Sequence, residues 1–246
     1  MEKYPDLKFK VEPKKDTEVY LGFWESAKYY KELREYLDRF FYNLYPEIKF
    51  LKKNKRKTKV IQKKEIEKFV NGFYSKNEKE FKLQAQKAQK EWNKNKNKFF
   101  KLTNGIFKKQ KWSKGKYVGY LTIWGTFPRF LNDNTFCFPD KTRKKQFVLA
   151  VSLHEMMHFI FYEYAIKKHA KLFKKLNTEQ GVFWELAEIF NAVMHKTELV
   201  KIHGNKNYLV YPQHKKILPY FVKLWKDNKD IDIWILEAFK HLKNKK

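Results

Sequence analysis

The chain has 246 residues, 43% hydrophobic and 18% aromatic, with only 8 Gly and 7 Pro, which excludes disordered and collagen-like classes and leaves ample apolar material for one core. Lys plus Arg number 55 against 27 Asp plus Glu, a formal charge of +28. Only Arg34, Arg39, Arg56, Arg129 and Arg143 are arginines, and base-reading proteins favour Arg for bidentate contacts, so the charge reads first as a solvated lysine face and second as a weak, nonspecific polyanion surface.

Residues 7–11 and 18–23 alternate apolar and polar positions and predict strands. Tyr29, Leu33, Tyr36, Leu37, Phe40 and Phe41 recur at helical spacing, so a helix is expected over 25–44, ended by Pro46. A short strand at 48–51 precedes the first basic run, 52–59. The pattern from 66 to 100 is helical, with an interruption expected at Asn71-Gly72 and a new cap at Ser75; it contains the second basic run, 94–98. Residues 117–127 form the best strand, and 135–138 its expected partner through the turn-forming Asn132-Asp133-Asn134. Beyond Pro139-Asp140 helices are expected over 145–168, 179–197, 214–227 and 231–243. No internal repeat or Ser/Gly linker is present, which favours one domain in two lobes, 1–140 and 141–246.

The single cysteine, Cys137, excludes an internal disulfide framework and points to a reducing, cytoplasmic setting in which metal ligands are His, Asp or Glu. Residues 1–10 carry five charges and no apolar run, so no secretory signal is expected. The most apolar stretch, 147–165, contains His154, Glu155, His158 and Glu163, which argues for a buried helix and against a membrane span.

His154-Glu155-Met156-Met157-His158 is an H-E-x-x-H sequence. On a helix, positions i and i+4 project from one face, so both imidazoles can share one metal while the intervening Glu reaches a water on it. Zn²⁺ suits such a site because it accepts His nitrogen and carboxylate oxygen and keeps one position for water. The helix is apolar nearly all round, so these ionisable groups need partners, and a metal supplies them. A third protein ligand is required. The metzincin extension would need Gly and His where Phe161 and Tyr164 stand, which excludes that class. The next helix offers Glu185 and Glu188, 27 and 30 residues after His158.

Here the chain resembles the gluzincins, zinc peptidases whose third ligand is a Glu on a second helix after H-E-x-x-H. Leu186-Ala187-Glu188 after Trp184 looks like the W-L-N-E segment of the aminopeptidase branch, with one extra residue between Trp and Leu. Helical angles place Trp184, Asn191 and His195 on the Glu188 face, which prefers Glu188 as ligand and keeps Glu185 as the alternative. The resemblance covers about 117–195 and implies an α+β, zincin-like fold: a small twisted sheet with helices, then a mainly helical lobe. It implies that 117–127 is a substrate-binding edge strand, against the alternative of an ordinary core strand. It also implies a downstream donor to the oxyanion, for which His214, Tyr211 and His203 are candidates.

The function so expected is that of a hydrolase, a zinc metallopeptidase acting on a peptide or protein, with His154, His158 and Glu188 on the metal and Glu155 as general base. Two other classes are a polyanion-binding protein with a structural or vestigial metal, and a helical interaction protein with none.

Overall fold

The computed structural model describes residues 4–53, 58–140, 145–206 and 210–244. The chain is mixed α+β, mostly helical, with one four-stranded sheet. It divides into a sheet unit, Leu7–Lys90 with Tyr117–Lys144, and a helical unit, Met1–Asp6 with Glu91–Lys116 and Lys145–Lys246. Residues 1–6 and 91–116 thus group with 145–246.

In chain order the first elements are β1 (Leu7–Lys10), α1 (Pro13–Ser26), α2 (Lys31–Leu37), α3 (Phe50–Lys53), α4 (Lys59–Ile106), β2 (Tyr117–Thr122), β3 (Arg129–Phe130) and β4 (Thr135–Pro139). Sheet order is β1-β2-β4-β3, with β2 parallel to both neighbours and β3 antiparallel to β4. Burial on both faces explains the continuous apolar run of β2. Gly119 in β2 suits close packing: a Cβ there would stand 3.1 Å from both Phe136 and Phe9 ring carbons, which would have to give way by a few tenths of an ångström.

Several expectations are corrected. Residues 18–23 lie in α1, not a strand: Pro13 opens the helix, and Asp16, Thr17, Val19, Tyr20 and Leu21 are buried, where a strand would bury alternate residues. The helix expected over 25–44 is broken after Ser26, restarts at Lys31 and passes into a π turn, Asp38–Tyr42. Residues 48–51 are helical, not extended. α4 runs unbroken through Asn71-Gly72, because Gly72 is exposed with nothing nearby while Val70, Tyr74 and Phe81 are buried. β4 does pair with β2, but in parallel, and the turn at 132–134 joins β3 to β4. β2 therefore lies inside the sheet, flanked on both sides, and is not the edge strand that the resemblance implied.

The sheet unit packs around Trp124, whose ring lies 4.8 Å from Phe41 and 5.5 Å from Tyr45. Beside it the fully buried Asp16 receives hydrogen bonds from Tyr74 Oη, Thr122 Oγ1 and the Ile123 N–H. Burial pushes the Asp16 carboxyl up to about 7 in spite of these donors. On α4 the lysines Lys63, Lys64, Lys68, Lys76, Lys79, Lys82, Lys87, Lys90, Lys94, Lys98 and Lys101 are exposed. Part of the first basic run, 54–57, lies outside the described residues.

The helical unit adds α5 (Lys145–Lys168), α6 (Ala170–Phe173), α7 (Gly181–Met194), α8 (Val200–His203), α9 (Leu218–Asn228) and α10 (Ile231–Lys243). A π turn, His195–Leu199, links α7 to α8, and Gly204 at φ 70 ends α8 in the left-handed region that favours glycine. α5 and α7 pack through Phe161 and Phe190, rings 4.8 Å apart, and Phe190 reaches α10 through Trp234 at 5.0 Å. Asp230 caps α10 by accepting from the Asp232 and Ile233 N–H groups. This core fixes α5 and α7 side by side. No helix among the described residues is long and apolar enough to cross a membrane.

Candidate metal centre

α5 is buried nearly all round: Val148, Leu149, Val151, Leu153, Met156, Met157, Ile160 and Phe161 are all in the core. His154 and His158, one helical turn apart, project together and bring their Nε2 atoms within 2.9 Å. Their rings meet edge to face, with centroids 4.6 Å apart. α7 supplies Glu188, with Oε2 3.4 Å from His154 Nε2 and Oε1 3.3 Å from His158 Nε2. The three side chains are 12, 0 and 3% exposed, respectively.

The geometry fits a metal. Zn–N and Zn–O bonds of about 2.0–2.1 Å in tetrahedral arrangement separate ligand atoms by about 3.3 Å. The shortest carboxylate-to-imidazole distances, made by the two different oxygens of Glu188, are close to that value, the two Nε2 atoms stand nearer at 2.9 Å, and one atom from each residue lies within 4.8 Å of the others. The group could therefore hold a metal ion. Burial alone would push the Glu188 carboxyl up, but His158 and His154 beside it outweigh this and hold it well below the usual range. A buried carboxylate facing two imidazoles is the charge balance that a divalent cation needs.

Glu155 is buried on the same turn of α5, between the two histidines in sequence and outside the converging set. Of the alternative third ligands, Glu188 joins the histidines, whereas Glu185 Oε1 lies 3.8 Å from His214 Nε2. His214 is buried, packing 6.2 Å from the Trp184 ring and 5.7 Å from that of Tyr211. Burial lowers the His214 pKa, opposed by the charges of Glu185 and Glu188. Tyr211 is 44% exposed and also meets Trp184, at 5.5 Å. Two of the three residues expected to donate to an oxyanion, His214 and Tyr211, thus cluster around Trp184 and Glu185, one turn before Glu188 on α7.

A further histidine packs beside the group. The His195 ring lies face to face with that of His154, centroids 5.5 Å apart and planes 25° off parallel. Its Nδ1 is 3.0 Å from His203 Nε2. Burial, followed by the neighbouring His154, His203 and His158, depresses the His195 pKa well below the ordinary value, and burial brings that of His203 to about 4. Helical angles place His195 on the Glu188 face, but its pairing with His203 has no signal in the sequence. Residues eight apart are separated by about 12 Å along a regular α-helix, and the intervening π turn and α8 bring these two together.

Comparison with protein families, with curated proteins and with solved structures finds no match for this chain.

Proposed function

We propose that the chain is a zinc-dependent peptidase. The observation that carries this reading is the convergence of His154, His158 and Glu188 within 4.8 Å, with Glu155 between the two histidines on α5. His154 and His158 would hold the ion through Nε2, and Glu188 through its carboxylate. Zinc, when bound, supplies Lewis acidity, acidifying a water and polarising a carbonyl oxygen.

Glu155 accepts the proton of the attacking water. As the bond between carbonyl carbon and amide nitrogen breaks, it delivers that proton to the leaving amine, so the base is regenerated. The apolar wall of α5 excludes bulk water and strengthens every charge interaction in the site. The resemblance to gluzincins at H-E-x-x-H and at Leu186-Ala187-Glu188 supports the same chemistry.

The test is Glu155→Gln. It keeps the shape of the side chain and removes the base, so bound zinc and folding should persist while hydrolysis of a cleavable peptide falls at least ~10²-fold. Undiminished hydrolysis in this variant would refute the assignment of Glu155.

A further inference from the structure

Two histidines outside the ligand set fix each other's protons. The backbone N–H of Asn205 donates to His203 Nδ1 at 2.8 Å. A backbone amide only donates, so this ring nitrogen is bare and the His203 proton sits on Nε2. His203 Nε2 is 3.0 Å from His195 Nδ1, and it must be the donor in that pair. His195 Nδ1 is therefore the acceptor, and the His195 proton sits on Nε2. The chain of donors runs one way, from the Asn205 amide through His203 to His195. Burial of both rings, 4% and 2% exposed, shields it from competing water.

This order decides what His195 can do. A histidine that ligates a metal through Nε2 has that nitrogen bare and donates from Nδ1–H to a supporting acceptor. His195 has the reverse arrangement, although its ring stacks on that of the ligand His154. It is thus fitted to donate a hydrogen bond and unfitted to be a fourth ligand. It also lines a pocket of about 140 Å³ together with Ala192, Lys196, Val200, Lys206 and Val210.

We propose that His195 is the fixed Nε2–H donor of the metal centre, its tautomer set by His203 and the Asn205 amide, and that it serves the carbonyl oxygen of a bound peptide. The identity of that acceptor rests on the peptidase reading; the tautomer and the exclusion from the ligand set do not. Of the donors expected from sequence, Tyr211 and His214 pack against Trp184, and His203 holds His195.

The experiment uses the full chain with ¹⁵N-labelled imidazoles, zinc-free and zinc-loaded, with the His195 resonances assigned by their loss in His195→Gln. Long-range ¹H–¹⁵N correlation should show His195 protonated at Nε2 and bare at Nδ1 in both states. His203→Gln, whose amide still donates, should preserve this, whereas His203→Leu should leave the two His195 tautomers in exchange. His195→Gln should keep one zinc per chain, with affinity changed no more than about 100-fold. On a cleavable peptide His195→Ala should lower kcat roughly 10²- to 10³-fold with KM little changed, and His195→Gln should recover part of the loss. A wild-type His195 protonated at Nδ1, or zinc lost from His195→Gln as fully as from His158→Ala, would overturn the proposal. A wild type that cleaves no peptide would sink the peptidase reading instead, while proton position and zinc retention still decide whether His195 is a donor.

Discussion

Replacing Glu188 and Glu185 one at a time probes the centre most finely, because the two carboxylates lie three residues apart on α7 and only one converges with the histidines. Glu188 is 3% exposed, with its two oxygens 3.3 and 3.4 Å from the His158 and His154 Nε2 atoms. Glu188→Ala removes one of the three side chains that converge and leaves none to take its place. The affinity should therefore fall well beyond the roughly 10- to 100-fold typical of a group that only supports a ligand, a loss of more than about 3 kcal/mol. Glu185, 22% exposed and beside His214, stands outside the set, so Glu185→Ala should stay within that milder range. Competition for zinc against a chromophoric chelator measures both variants, and circular dichroism of the zinc-free proteins checks that each still folds. Equal losses, or a greater loss for Glu185→Ala, would refute the ligand assignment.

Two further outcomes follow from the rest of the molecule. The Asp16 carboxyl, near 7 when folded against an ordinary 3.8, binds its proton more tightly in the native state, so its contribution is complete below about pH 4 and lost as pH rises through 7. Urea unfolding of wild type and Asp16→Asn should show wild type losing up to about 4 kcal/mol relative to the variant over that window, and parallel curves would contradict the burial argument. The exposed lysines of α4 predict weak, sequence-independent binding to DNA or RNA that disappears as salt rises through the physiological range; tight binding at high salt with a sequence preference would make nucleic acid the principal partner.

The parts of this fold legible in the sequence are those where one local signal dominates. α5 reads as a buried helix because apolar residues surround it on every side. α10 spans the range expected, with Asp230 as its cap. The pairing of H-E-x-x-H with Glu188 follows from helical phase, since residues 184, 188, 191 and 195 share a face. What was not legible depends on tertiary choice. The alternation at 18–23 suits a strand, yet Pro13 and the burial of consecutive residues make it a helix. Gly72 reads as a break, but a glycine in an exposed helix position costs only about 1 kcal/mol, which the flanking buried residues offset. Parallel pairing of β2 with β4 is invisible in either strand alone, and the pairing of β1 on the other side of β2 moves the expected edge strand to the sheet interior. The His195–His203 pair depends on a π turn that no residue type announces.

Metal content of the purified chain, measured by mass spectrometry on wild type and His158→Ala together, decides whether these three side chains hold zinc. The account predicts about one zinc per chain in wild type and none retained in the variant, because His158 Nε2 lies at the convergence of the ligand set. Equal zinc in both proteins, or a wild type that takes up no zinc when supplied with it, would contradict the account.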